Sequence, residues 1–201
     1  MNDSMPVVLV NPPAEVVRES YDAPDYPSIS VGYLANYLVK KGIHIKIIDA
    51  KLGRKSLQQT IKEIVSLRPK VLGISSFTHM IMTTSKIATA VKEALPDTTV
   101  VVGGYHVTFL PERSLKEFPE FDFLIVGEGE IAFCSLVEAL LSGREFRDIP
   151  GVAFRKGGSY VVNGRGEVPD DLDELGMPAW EEFPQEDIAK YVKRFPLMTQ
   201  R

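Results

Sequence analysis

Hydrophobic and polar positions alternate along this chain with two different periods. Short runs rich in Val and Ile, at 6–10, 43–48, 70–75, 98–103 and 122–126, are each followed by a stretch in which apolar residues recur every three or four positions. Runs of the first kind predict strands buried on both faces; stretches of the second kind predict amphipathic helices. The first helical stretch, ISVGYLANYLVKKG (29–42), brings Ile29, Tyr33, Leu34, Tyr37 and Leu38 to one side and stops at Gly42, a residue suited to the left-handed position after a helix. A second, 56–69, opens on Ser56 as a cap and closes before Pro69. A third covers about 80–95, ended by Pro96, and a fourth covers 129–141, stopping at Gly143.

Strands alternating with helices build βαβ units, which predicts an α/β domain with a doubly wound, flavodoxin-like (Rossmann-like) sheet of five parallel strands and right-handed crossovers. After Gly143 the alternation changes. GVAFRKGGSYVVNG (151–164) is two short apolar runs around Lys156, Gly157 and Gly158, which predicts a β-hairpin. VPDDLDELGMPAWEEFP (168–184) is acidic, carries three Pro and lacks a long period, as an extended strap or linker does. The chain thus divides into a ligand-binding domain, 1–143, and a hairpin and linker, 144–201.

An open parallel sheet binds ligands beyond the carboxyl ends of its strands. Four of these ends carry small or special residues, in MPVVLVNPP, VLGISSFT, VVVGGYH and FLIVGEGE. The usual nucleotide signatures are missing from them. The first strand is followed by no Gly until Gly32, which disfavours a dinucleotide fingerprint, and no GxxxxGK[ST] occurs. Asn11 and Pro12 stand where a receiver domain would need acidic residues. Gly103 and Gly104 leave backbone bare where a flat, neutral ligand can lie against it, and Ser75, Ser76 and Thr78 offer hydroxyls. Each also has a plain structural reading, as a turn or a helix cap. Glu128 and Glu130 read better as structure than as an acid/base pair: Gly127 and Gly129 permit a sharp turn, Glu130 sits at a helix N-terminus where the dipole favours a carboxylate, and Glu128 is left to meet ligand amides.

Composition narrows the class. With 201 residues, 44% of them hydrophobic, the chain can bury a sizeable core. A net charge of −4 argues against a binder of nucleic-acid backbone. No apolar run approaches the roughly 20 residues of a membrane span and the start has no basic leader, so a cytoplasmic protein is expected. The single Cys134, in IAFCSLVEALL, can form no intrachain disulfide and no CxxC site and is read as a buried, inert thiol.

The run PDTTVVVGGYHVTFLPERSLKEFPEFDFLIVGEGEIAFCSLVEAL (96–140) resembles the N-terminal cobalamin-binding domain of the cobalamin-dependent radical S-adenosylmethionine enzymes, with its spaced VGGxH and VxGEGE elements. YPSISVGYLANYLVKKGIHIKIIDA (26–50) is similar to the same family's GxxYLA…DA segment, IPGVAFRKGG to its hairpin, and DDLDELGMPAWE to its strap. The likeness covers most of residues 5–201. In the family a segment with three Cys follows, which holds a [4Fe-4S] cluster that cleaves S-adenosylmethionine. Thr199, Gln200 and Arg201 resemble the approach to it, which implies a portion of a longer enzyme, a methyltransferase or cyclase, whose barrel domain is the module's partner. No catalysis is expected of this chain alone.

The resemblance implies bound cobalamin, contacted by Ser75, Ser76, Phe77, Thr78, Gly103, Gly104, Tyr105, His106, Gly127, Glu128 and Gly129. The D-x-H-x-x-G motif that places a His under cobalt in methionine-synthase-type domains is absent, and 11–28 holds no His. Cobalamin is therefore expected base-off, its nucleotide tail in the sheet and no histidine on cobalt, above Tyr21, Tyr26, Ser76, Phe77, Tyr105 and His106 or water. His44 reads as structural, His79 as a neighbour of the corrin edge, and His106 as a ligand contact. Replacing Gly104 by Val is expected to block the tail and leave the fold intact. Two other functions remain for such a domain, a stand-alone corrinoid methyl carrier and a flavodoxin-like electron carrier.

Overall fold

The structure is a computed structural model and describes residues 5–13, 24–168 and 172–197. The five predicted parallel strands are β1 (Val7–Asn11), β2 (Ile45–Asp49), β3 (Val71–Ser75), β4 (Thr99–Gly103) and β5 (Phe123–Ile125). They lie in the order β2-β1-β3-β4-β5, the flavodoxin-like winding. The hairpin, β6 (Val152–Lys156) and β7 (Ser159–Val162), continues the sheet: β6 pairs antiparallel with β5, so the sheet has seven strands rather than the five expected. An edge strand leaves a row of N–H and C=O groups unpaired, and β6 covers that row on β5 while burying Val152 and Phe154. Between the strands of the hairpin, Gly157 and Gly158 both take positive φ, +56° and +83°, as a tight two-residue turn requires.

The four predicted helices are α1 (Ile29–Lys40), α2 (Leu57–Leu67), α3 (Ile81–Ala94) and, after two unpredicted ones, α6 (Glu130–Ser142). Ser56 caps α2 with a reciprocal pair: its Oγ accepts from Gln59 N at 3.2 Å and its N–H donates to Gln59 Oε1 at 2.8 Å. The unpredicted pair, α4 (Tyr105–Phe109) and α5 (Pro111–Glu117), fills the β4–β5 connection. At five and seven residues, they are too short for a period to register. Arg155 of β6 ties α5 to the sheet, donating to the carbonyls of Leu115 (3.0 Å from Nε), Phe118 (2.7 Å) and Phe121 (2.5 Å).

Strand alternation sorts the core into two layers. Val8, Val10, Leu72, Ile74, Val100 and Val102 face the side of α2, α3 and α5, whereas Val7, Leu9, Val71, Val101 and Ile125 face α1 and α6. Cys134 of α6 is 3% exposed in this second layer, and burial, with Glu138 nearby, pushes its thiol up to about 11. The nucleophile is the thiolate, so the native protein at pH 8 should resist Ellman's reagent for hours while the urea-unfolded chain reacts within a minute. Rapid labelling of the folded protein would refute an inert thiol.

The predicted strap runs back along α1 through two 3-10 turns, Leu172–Leu175 and Trp180–Glu182, and ends in a further helix, α7 (Gln185–Tyr191). Ala179 N–H donates to Gly32 O at 3.0 Å. A Cβ on Gly32 would stand 2.7 Å from Pro178 Cβ, so the glycine inside this helix exists to admit the strap. Asn36 Nδ2 donates to Leu175 O, and Phe183 is buried. Among the described residues no helix is long and apolar enough to cross a membrane.

Candidate functional site

The carboxyl ends of β1, β3, β4 and β5 meet at one edge, and the two layers of the core treat it differently. Ser75 and Gly103 are partners in the β3–β4 register. By alternation both belong to the α1/α6 side, as does Gly73 two residues earlier. A Cβ on Gly73 would stand 2.7 Å from the Phe133 ring and 3.0 Å from Leu9, so that level is filled. One step nearer the edge it is open: among the described residues a Cβ on Gly103 would meet only Ile125 Cβ, at 3.7 Å. The wall continues through Ile125 to Gly129, the N-cap of α6, where a Cβ would lie 3.3 Å from Leu34 of α1. The result is a slot with bare backbone behind it, Phe133 as its floor, and Ile125, Gly129 and Leu34 along its side.

Gly104 does a different job from its neighbour. Its φ is +106°, and a Cβ there would overlap Ser76 O and stand 3.0 Å from Ser76 N. It is required by the fold, which overturns the expectation that Gly104→Val leaves the fold intact. Ser76 also faces inward: it is fully buried, its N–H donates to Gly103 O at 2.8 Å, and its Oγ accepts from Thr84 of α3 at 3.0 Å. Ser75, by contrast, is half-buried at the rim of the slot.

On top of the edge stands a row of exposed rings. Phe77 is 5.5 Å from Tyr105 and Tyr105 is 6.4 Å from Phe109, with the latter pair nearly parallel at 10°. Their exposures, 43%, 64% and 67%, are high for such large apolar groups. Positions 105 and 109, one turn apart on α4, put both rings on the side of Phe77. His79, exposed on the 3-10 turn Thr78–Met80, lies 6.0 Å from Phe77. His106 turns the other way, edge-on to Phe118 at 6.5 Å, with its Nδ1 buried and without a hydrogen-bond partner. Burial holds its pKa below the ordinary histidine value, so its imidazole is neutral at pH 7. His44, exposed just before β2, lies at the opposite edge of the sheet.

Gly127 has φ +88°, donates its N–H to Thr108 Oγ1 at 3.1 Å and forms a bridge with Gly166. Glu128 is half-buried, and Glu130, one residue inside α6, is 4% exposed. Tyr26 lies under the Arg194 guanidinium, 5.3 Å from its ring centre. Tyr21, most of the 11–28 connection and the tail Thr199–Arg201 lie outside the described residues. A hollow of about 420 Å³ opens beside α6, but Glu145, Asp148 and Glu167 line it, an unfavourable setting for a ligand tail that carries a phosphate. Leu34, Ile125, Phe133 and Phe109 escaped the sequence reading because a slot wall has the same apolar spacing as a core.

The model of the B12 binding domain matches residues 16–137, more than half the chain. The chain belongs to the B12-binding domain family. This B12-binding domain is 31% identical over 182 residues to the uncharacterized methyltransferase PH0819 of Pyrococcus horikoshii, covering 90% of the chain and 39% of that protein. It is 33% identical over 170 residues to the anaerobic magnesium-protoporphyrin IX monomethyl ester cyclase of Rubrivivax gelatinosus, covering 80% of the chain and 31% of the cyclase. Its fold is that of part of the cobalamin-dependent S-adenosylmethionine radical enzyme OxsB with aqua-cobalamin and S-adenosylmethionine bound, at a TM-score of 0.80, 21% identity, and coverage of 97% of this chain and 26% of that one. The domain spans less than two fifths of each of these proteins. Cobalamin is its cofactor class, and among the described residues the space in front of Gly103 is open, with only Ile125 Cβ within 4 Å of a Cβ placed there.

Proposed function

We propose that this B12-binding domain is the cofactor module of a radical S-adenosylmethionine methyltransferase or cyclase in the cytoplasm, and that it holds cobalamin base-off without a histidine on cobalt. The observation that carries the reading is the slot at Gly103, open at the level of Ser75 and closed one step below by Phe133. Bound cobalamin would supply a cobalt centre able to pass a methyl group or an electron to an unreactive carbon. The [4Fe-4S] cluster and S-adenosylmethionine would belong to a barrel domain of the longer protein.

The chain's own residues bind and orient. Leu34, Ile125 and Phe133 keep water from the tail, and the Ser75 hydroxyl at the rim can donate or accept. Gly127, Glu128 and Gly129 border the same opening, with Thr78 and Tyr105 on the β3 and β4 side. Phe77, Tyr105 and Phe109 offer ring faces to the corrin and no strong metal ligand. Two of the three His are set away from cobalt, His44 at the far edge and His106 facing Phe118; exposed His79 stacks beside Phe77 and is read as a neighbour of the corrin edge.

The test is to mix the protein with hydroxocobalamin, remove free cofactor by gel filtration, reduce to cobalt(II) and record the electron paramagnetic resonance spectrum. Co-elution with no nitrogen splitting from an axial ligand is expected; a three-line splitting traced to a protein imidazole would overturn the base-off, histidine-free reading. His106→Ala should leave the visible spectrum unchanged and weaken binding by no more than the roughly 0.5 to 1.5 kcal/mol of one hydrogen bond. A shifted spectrum would make His106 an axial ligand.

A further inference from the structure

Asp49 closes β2 at the same edge and is 1% exposed. A lone buried carboxylate is costly unless its oxygens are satisfied, and here three donors converge on it. Its Oδ1 accepts from Asn11 Nδ2 at 2.7 Å and from Leu52 N at 3.1 Å, and its Oδ2 accepts from Ser28 N at 2.9 Å. Burial still pushes its carboxyl above the ordinary carboxylate range, and the negative charge of Asp187 on α7 adds to that. Such a group is a poor choice for stability alone, since apolar packing of similar volume often serves as well.

Its partners show what it holds. Asn11 is the last residue of β1, and Ser28 is the N-cap of α1. The Ser28 side chain makes no capping bond of its own, so the Asp49 carboxylate anchors the start of the helix through the Ser28 N–H. Six residues on, α1 carries Leu34, which stands beside Gly129 and Ile125 along the slot. One side chain therefore sets the position of β1, the β2 end and α1 relative to one another at the level where the slot opens.

We propose that Asp49 is a positioning residue for cofactor binding: by holding Asn11 and Ser28 together it fixes α1, and with it Leu34, at the spacing that lets the slot grip the nucleotide tail. This rests on the reading that the slot takes the tail. Asn at position 49 keeps the shape but has one acceptor, so at least one of the three donors is left facing an NH2 group. Asn11→Ala is a second, milder cut, because it removes only the Nδ2 donor to Asp49 Oδ1 and leaves the Ser28 and Leu52 bonds in place.

The experiment measures the dissociation constants of cobalamin and of cobinamide, which lacks the nucleotide tail, for the parent, Asp49→Asn and Asn11→Ala, with melting temperatures alongside. The parent should prefer cobalamin. In both variants that preference should fall, by about 10-fold in the ratio of the two constants for Asp49→Asn, with cobinamide bound as in the parent. Should Asp49→Asn not fold, the same ratio in Asn11→Ala decides. An unchanged ratio in the folded variants, whatever the loss in melting temperature, overturns the role of Asp49. A parent that binds both corrinoids equally overturns the slot itself.

Discussion

Gly103→Leu should fold as the parent does and bind cobalamin at least about 100-fold more weakly, close to 2.8 kcal/mol. Gly103 ends β4 without a positive φ, and among the described residues a Cβ added there meets nothing nearer than Ile125 Cβ at 3.7 Å. The backbone therefore accepts a side chain without strain. The rest of the leucine has one place to go, the slot between Ser75, Ile125 and Phe133. There it would cover apolar surface in the free protein, which leaves the melting temperature unchanged or slightly higher, while excluding the cofactor's tail by volume. Circular dichroism and thermal melting report the fold; equilibrium dialysis against hydroxocobalamin reports the binding. A folded variant with the parent's affinity would mean that the tail does not pass Gly103.

The adjacent substitution should fail in the opposite way. Gly104→Val puts a β-branched residue at φ +106°, a conformation that costs such a residue roughly 1 to 3 kcal/mol, and sets its Cβ into the Ser76 carbonyl. The Ser76 peptide cannot yield cheaply, because its N–H holds Gly103 O at 2.8 Å and its hydroxyl takes the Thr84 bond in the buried α3 layer. Together these should lower stability by about 3 kcal/mol or more, a large part of the 5–15 kcal/mol typical of a domain, and the melting temperature by about 10 °C. Loss of cobalamin binding would then follow from loss of structure. A Gly104→Val protein that melts like the parent would show that the loop can relocate around Ser76, and that the positive φ is a preference rather than a requirement.

Two glycines side by side in one sequence thus have separate tasks, and the difference marks where sequence reading stops. The continuous apolar runs and the period-3.6 patterns predicted the five parallel strands, the four long helices and the hairpin, because each pattern reports a burial that a regular element imposes on its own residues. The VGGxH and VxGEGE spacing pointed to a corrinoid family because it lies in contiguous chain. The short α4 and α5, by contrast, show no period, and Pro111 between them reads as a break until a structure gives it the first position of a helix. That β6 would join β5 was equally hidden, since pairing depends on which edge is vacant once the other strands have been placed.

What the sequence alone determined is the winding of the fold, the strand-end edge proposed for the ligand, and the residue types available there. Only the tertiary structure decided which of those residues are exposed at that edge. It turned Ser76 and His106 inward against Thr84 and Phe118 and left Ser75 at the rim; it set Phe77, Tyr105 and Phe109 in a row, and brought Leu34, Phe133 and Asp49, from separate segments of the chain, to the same edge. The physical reason is that local patterns record whether a position is buried or exposed. A binding slot is made by what is missing between elements distant in the chain, and only their packing shows whether the space beyond a glycine holds a ring, a carbonyl or nothing.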